Sequence, residues 1–254
     1  MPAPSELLLS LAMAAAAGLV GSFAVLRRMT LASDAISHVA LPGIGIAILL
    51  HVDPLLGGSA ALLLGTLLVW AIEHRTRIPT EAIIGVVFST ALAIGSMLTS
   101  GEDLIEALFG SPGKPGNAEL VLGLVAASLV IVFAMLAGER LVIALVSPDL
   151  ARTAGIDVAR LDLCFLLAFA LAVSLGLRFL GVLLMGSLII IPAATAKHLA
   201  RSLPQMRAIA VVLAMACTLL GSFAASRLRL EKGPVTIAIA AALFFLSLGL
   251  RRDR

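Results

Sequence analysis

"LASDAISHVALPGIGIAILL", residues 31–50, decides how this chain is built. An α-helix rises 1.5 Å per residue, so about 20 residues cross the ~30 Å hydrocarbon core of a bilayer. The apolar residues run on without the period-two alternation of a barrel strand. In lipid only helices and closed barrels satisfy every backbone group, so a run of this kind reads as a spanning helix. Yet it holds Asp34 and His38 four residues apart. An aspartate near a helix centre costs about 2.5–3.5 kcal/mol on insertion scales. The stretch therefore poses the question of fold and the question of function together.

The remainder of the chain agrees with a membrane setting. Of its 254 residues, 61% are hydrophobic and 13% charged, and the mean hydropathy is +1.13. A soluble domain is about a quarter charged. Continuous apolar runs predict helices over 6–26, 33–50, 55–73, 81–98, 118–137, 161–177, 179–197, 207–226 and 234–250. The fold expected is an all-α polytopic bundle of eight or nine spans, one membrane domain over 1–254. No loop leaves room for a soluble catalytic module. The first run lacks a basic flank and reads as a retained span, not a cleaved signal. The segment 139–146 is too short to cross and is expected to extend the fifth helix. Cys164 and Cys217 lie inside apolar runs without CxxC spacing and read as small buried hydrophobes.

Loop charge sets the orientation. With the N-terminus outside, the inner segments hold Arg27, Arg28, Arg75, Arg77, Arg140, Arg152, Arg160, Lys197, Arg201, Arg207 and the three C-terminal arginines, thirteen of the eighteen basic residues. Basic loops stay in the cytoplasm, so the N-terminus is expected outside and the C-terminus in the cytoplasm.

Asp34 and His38 share one helix face, because four residues make roughly one turn. A carboxylate oxygen and an imidazole nitrogen so placed suit zinc, manganese or iron. The same residues also fit a plainer reading, in which Asp34 caps the helix and His38 reaches toward the surface. Pro42 and Gly43 follow, and such a step inside a span frees backbone carbonyls or kinks the helix. Pro192 in "IIIPAATA" is a second kink candidate with a pathway role. His51 and Asp53 stand where a metal could pause, though turn chemistry at "HVDP" explains them equally well. His74 and His198 read as facing headgroups or water. Glu102, Asp103 and Glu106 give an outward loop an acidic character.

Between the fifth and sixth spans lies "SPDLARTAGIDVARLDL", residues 147–163. Ser147 suits an N-cap, Pro148 the first helical position, and Asp149 the positive helix end. Gly155 is a natural stop. A short helix over 148–154 is predicted, with Ala151, Ala154 and Gly155 allowing close approach of another surface. The chain lacks GxxxxGK[ST], and "GSPGK" does not have its spacing, so ATP must be handled elsewhere. Glu73–His74 lacks the second histidine of HExxH, which disfavours an intramembrane metalloenzyme.

Four stretches together carry a resemblance. "SDAISHVALPGIGIA" (33–47), "EAIIGVVFSTALAIG" (81–95), "SPDLARTAGIDVARLDL" (147–163) and "GVLLMGSLIIIPAATA" (181–196) resemble, in order, the membrane subunit of zinc/manganese/iron ABC importers. The stretch "LFGSPGKPGNAEL" (108–120) departs from that pattern. The resemblance implies a homodimeric permease in the bacterial plasma (inner) membrane, two cytoplasmic ATPase subunits and an extracellular or periplasmic metal-binding protein. It implies that Asp34 and His38 coordinate the transported metal, and that 147–156, through Asp149, Ala151, Ala154 and Gly155, couples to the ATPase. No permanently bound cofactor and no nucleic-acid partner are implied. An ion-gradient-driven metal transporter would need more buried charges. A cobalamin or siderophore permease would not need the carboxylate–imidazole pair.

Overall fold

Small residues dominate the first helix, and they decide what it does. The structure, a computed structural model, describes residues 4–29, 35–76, 78–98, 116–179 and 182–249. Within α1 (Pro4–Leu26), Ala14, Ala16, Ala17, Gly18, Gly21, Ser22 and Ala24 are all buried. Lipid tails are as apolar as leucine, so helices in a bilayer associate through close packing of small residues and hydrogen bonds worth about 0.6 kcal/mol on average. A helix lined on all sides by small residues can be enclosed on all sides. α1 is accordingly the centre of the bundle.

The elements that follow are α2 (Ala40–Leu49), α3 (Pro54–Glu73), α4 (Thr80–Leu98), α5 (Asn117–Leu136), α6 (Gly138–Val146), α7 (Pro148–Thr153), α8 (Val158–Phe179), α9 (Val182–Leu199), α10 (Leu203–Leu228) and α11 (Lys232–Gly249). All nine predicted spans coincide with helices. Seven are long and apolar enough to cross a membrane, while Ala35–Leu49 and Leu184–Leu199 are shorter apolar helices. α1 packs against α5, α8, α9 and α10, and α11 closes over α9 and α10. A Cβ at Gly21 would overlap the Ile189 carbonyl of α9, and one at Gly18 would press on the Ala210 carbonyl of α10.

Helices α2, α3 and α4 form a wing. A Cβ at Gly43 of α2 would strike the Gly57 carbonyl and the Ala61 Cβ of α3, and the reverse holds for Gly57 against Gly43 and Ala47. Gly43-x-x-x-Ala47 and Gly57-x-x-x-Ala61 thus bring two antiparallel backbones into contact. α4 lies on α2 at Gly95, beside Leu41 and Pro42.

Two polar contacts show that the ends of α1, α3 and the start of α8 lie together. Arg27 pairs with Asp162 at 2.6 Å, both side chains being largely buried, and its guanidinium stands 4.6 Å from the Phe165 ring centroid, a cation–π geometry. The indole N–H of Trp70 donates to the Ala159 carbonyl at 3.0 Å. This end carries most of the described basic residues.

Two expectations change. The segment 139–146 does not extend the fifth helix: α5 stops at Leu136, and α6 begins anew at Gly138. A Cβ at Gly138 would press on the Arg207 guanidinium and the Phe23 ring, so glycine lets three elements meet there. α6 buries Leu141 and Ala144 while Glu139 and Arg140 stay exposed, the pattern of a helix lying along the surface. The second span is interrupted, at Val39, before its proline.

Candidate functional site

His38 ends a short helical turn, 35–38, just before the interruption at Val39. The reason lies one turn ahead. Pro42 has no N–H to give the His38 carbonyl, and its ring crowds that carbonyl. The break therefore falls at Val39, whose own N–H reaches back to Ile36 O at 3.0 Å. The interruption expected from the Pro42-Gly43 step thus falls one turn earlier, at Val39, while α2 runs through both residues and Gly43 packs against Gly57.

Around the turn, Ile36, Ser37 and Val39 are buried and His38 is half-buried. The imidazole faces α4, its ring 5.7 Å from that of Phe88 and tilted by 56°. Ile36, Val39, Gly65, Thr66, Val69, Ile84 and Val87 line a narrow apolar crevice where the three wing helices meet. Asp34 lies outside the described residues, as do Glu102, Asp103 and Glu106. Among the described residues no three His, Cys, Asp or Glu side chains come together as a metal cluster.

The side of α4 away from the wing has a character of its own. Ala82, Val86, Ser89, Ala93 and Ser96 form an exposed stripe at alternating spacings of four and three, with Thr90 beside it. α5 exposes mainly large apolar side chains, Val121, Leu122, Val125, Leu129, Val132, Met135 and Leu136, with the single hydroxyl of Ser128 among them. Lipid accounts for the second face. On the first, the hydroxyls of Ser89, Thr90 and Ser96 interrupt an exposed surface that also holds Val86, Ile94 and Met97, and such hydroxyls suit a protein partner or a watery passage. Sequence reasoning passed over this stripe, although its heptad spacing is visible in "EAIIGVVFSTALAIGS".

The other candidates also take part in backbone geometry. His51 adopts φ 54° at the left-handed stop after α2, where Val52 N donates to Ala47 O at 2.9 Å. Asp53 caps α3 by accepting from Leu55 N at 2.9 Å. His74 uses Nδ1 on the Trp70 carbonyl at 2.9 Å. Pro192 is buried inside the chain, and α9 continues through it.

The short helix forms as predicted, over 148–153. Ser147 Oγ accepts from Leu150 N at 3.2 Å. Gly155, at φ 76°, donates to Arg152 O and Ile156 to Ala151 O, completing a Schellman stop. Its faces differ from expectation. Ala151 is fully buried and seats the helix on its own chain, so it cannot meet a partner. Asp149, Ala154 and Gly155 are exposed, and so is Leu150, an apolar side chain 60% exposed.

Comparison with known proteins settles the class. Residues 5–251 match the ABC 3 transport family. The chain belongs to that family. It is 30% identical over 242 residues to the high-affinity zinc uptake system membrane protein ZnuB of Haemophilus influenzae, covering 92% of each chain. It is 27% identical over 245 residues to the manganese transport system membrane protein MntC of Listeria monocytogenes, covering 95% of this chain and 88% of the other. Its fold superposes on PsaBC from Streptococcus pneumoniae, solved in complex with a Fab, with a TM-score of 0.81 and 26% identity over 96% of this chain and 89% of that one. As an ABC 3 family member the chain has the all-helical architecture of an ABC permease.

Proposed function

We propose that this chain is the permease subunit of an importer that moves a divalent transition-metal cation, zinc, manganese or iron, into the cytoplasm of a bacterium. The observation that carries the proposal is His38, held at a helix interruption in the wing against the helix that exposes Ser89, Thr90 and Ser96. Relatives across the full length named for zinc and manganese uptake support it.

The chain acts as one membrane unit, with its basic end in the cytoplasm and the opposite end outward. It handles no ATP itself. Two partner ATPase subunits supply the energy, and an extracellular or periplasmic binding protein delivers the metal. A second copy of the chain completes the pathway along the α4 stripe. Asp34 and His38 replace water ligands on the ion, two donors from each copy making the four of a tetrahedral site. Isotopic uptake of Zn²⁺ and Mn²⁺ by cells lacking the endogenous system tests this. Cells carrying this chain with its ATPase and binding protein are expected to accumulate one of the two metals, and omission of this chain alone abolishes accumulation. Uptake that persists without the ATPase would instead support an ion-gradient-driven transporter.

We further propose that α7 docks on the ATPase through Asp149, Leu150, Ala154 and Gly155. Leu150 fills an apolar groove, since a leucine presented to water costs about 1.5–3 kcal/mol against its buried state. Leu150→Asp is expected to leave this chain folded while metal moved per ATP falls by about tenfold or more. An unchanged ratio would place the dock elsewhere.

A further inference from the structure

The wing that holds His38 has few ties to the rest of the bundle. Among the described residues the one extensive contact of α2, α3 and α4 with the remaining helices is α3 against α8. Two side-chain hydrogen bonds pin that seam. At the basic end the Trp70 indole N–H donates to Ala159 O at 3.0 Å. Toward the opposite end the Ser59 and Ser174 hydroxyls are 2.6 Å apart.

The position of the first pin matters. Ala159 lies in the first turn of α8, directly after α7 and its stop at Gly155. Asp157 caps that turn, accepting from Arg160 N at 3.1 Å. Three residues beyond Ala159, Asp162 holds Arg27 of the central helix. The start of α8 is thus fastened to α1 on one side and to α3 on the other. From α3 the Gly43–Gly57 contact leads to α2 and so to His38. Trp70 is the only tryptophan in a chain without tyrosine. Tryptophan at a membrane boundary commonly turns its N–H to the headgroups. Here the N–H turns inward, to a backbone carbonyl of a neighbouring helix.

We infer that Trp70 is a positioning residue for transport: through the Ala159 carbonyl it carries displacement of the 148–153 helix across the α3–α8 seam to the wing bearing His38. The inference rests on the proposed reading of α7 as the ATPase dock and of His38 as a metal ligand. Movement of one packed body against another needs a rigid link where the two meet, and a planar indole with a directional donor supplies one.

The test uses the complete transporter in proteoliposomes, with ATPase and binding protein, and Mn²⁺ or Zn²⁺, whichever it transports, as probe. Trp70→Phe keeps an aromatic ring and removes the donor. Benzothienylalanine at position 70 keeps the bicyclic shape and removes only the N–H. Both are expected to retain ATP hydrolysis and KM for the metal within about twofold, while metal moved per ATP falls at least about fivefold. Ser59→Ala, at the far pin, is expected to leave that ratio within about twofold. An unchanged ratio in the benzothienylalanine variant, or a loss of uptake matched by loss of folded protein, overturns the inference. Leu150→Asp runs alongside. If it uncouples while the position-70 variants do not, only the seam assignment fails. If neither changes the ratio, the docking assignment fails with it.

Discussion

His38→Ala is expected to lower metal uptake by at least about 100-fold, which corresponds to about 2.7 kcal/mol of lost stabilisation along the pathway. The complex should still assemble, because His38 is only half-buried and its truncation removes one tilted ring contact with Phe88. The size of the effect follows from ligand arithmetic. A first-row divalent cation gives up tightly held water only for several good donors, and no cluster of three such side chains occurs among the described residues. On the proposed reading each copy of the chain contributes two donors, Asp34 and His38, and the loss of one halves that contribution. Asp34→Ala should behave alike. His38→Cys separates coordination from packing: a thiolate binds zinc well and manganese poorly, so zinc uptake should recover more than manganese uptake. Isotopic uptake in cells, with detergent-extracted complex measured in parallel, checks all three. Normal uptake by both alanine variants removes the metal site from this position.

Gly43→Leu is expected to prevent accumulation of folded protein, and Gly43→Ala to lower the thermal midpoint in detergent by several degrees. The added Cβ would overlap the Gly57 carbonyl and the Ala61 side chain. Backbone atoms cannot rotate aside, so the whole α2–α3 pair must separate. Overpacking of this kind costs typically 1–3 kcal/mol per site, and interhelical contacts in a membrane have little hydrophobic reserve to offset it. Gly57→Ala should match it, since the contact is reciprocal. Had Gly43 served as a helix break, alanine there would lower transport and leave the midpoint unchanged.

How far the sequence reached can be judged from single residues. Ser147, Pro148 and Gly155 were legible as cap, first turn and stop because each acts on its own backbone within a few positions. The outward direction of Leu150 and the burial of Ala151 were not, because they depend on where α6 and α8 place the short helix. Pro42 was legible as a disturbance, but its effect is felt one turn earlier, at Val39, through the His38 carbonyl. Gly43 looked like part of that disturbance; its partner, Gly57, lies in the next helix. Trp70 offered no signal beyond its rarity, since its acceptor at Ala159 is eighty-nine positions away.

By itself the sequence determined the spans, their helical character and the four-residue spacing that makes Asp34 and His38 a candidate ligand pair. Those properties follow from backbone hydrogen bonding in a solvent without water, and each needs only a local run of residues. The tertiary structure alone decided which helix is central, which face of α4 stays exposed and how the wing is joined to the bundle. Hydropathy is blind to these choices, because the inside of the protein and the surrounding lipid are equally apolar. Close contact at Gly21, Gly43 and Gly57, and a few directed polar bonds, tell the two environments apart.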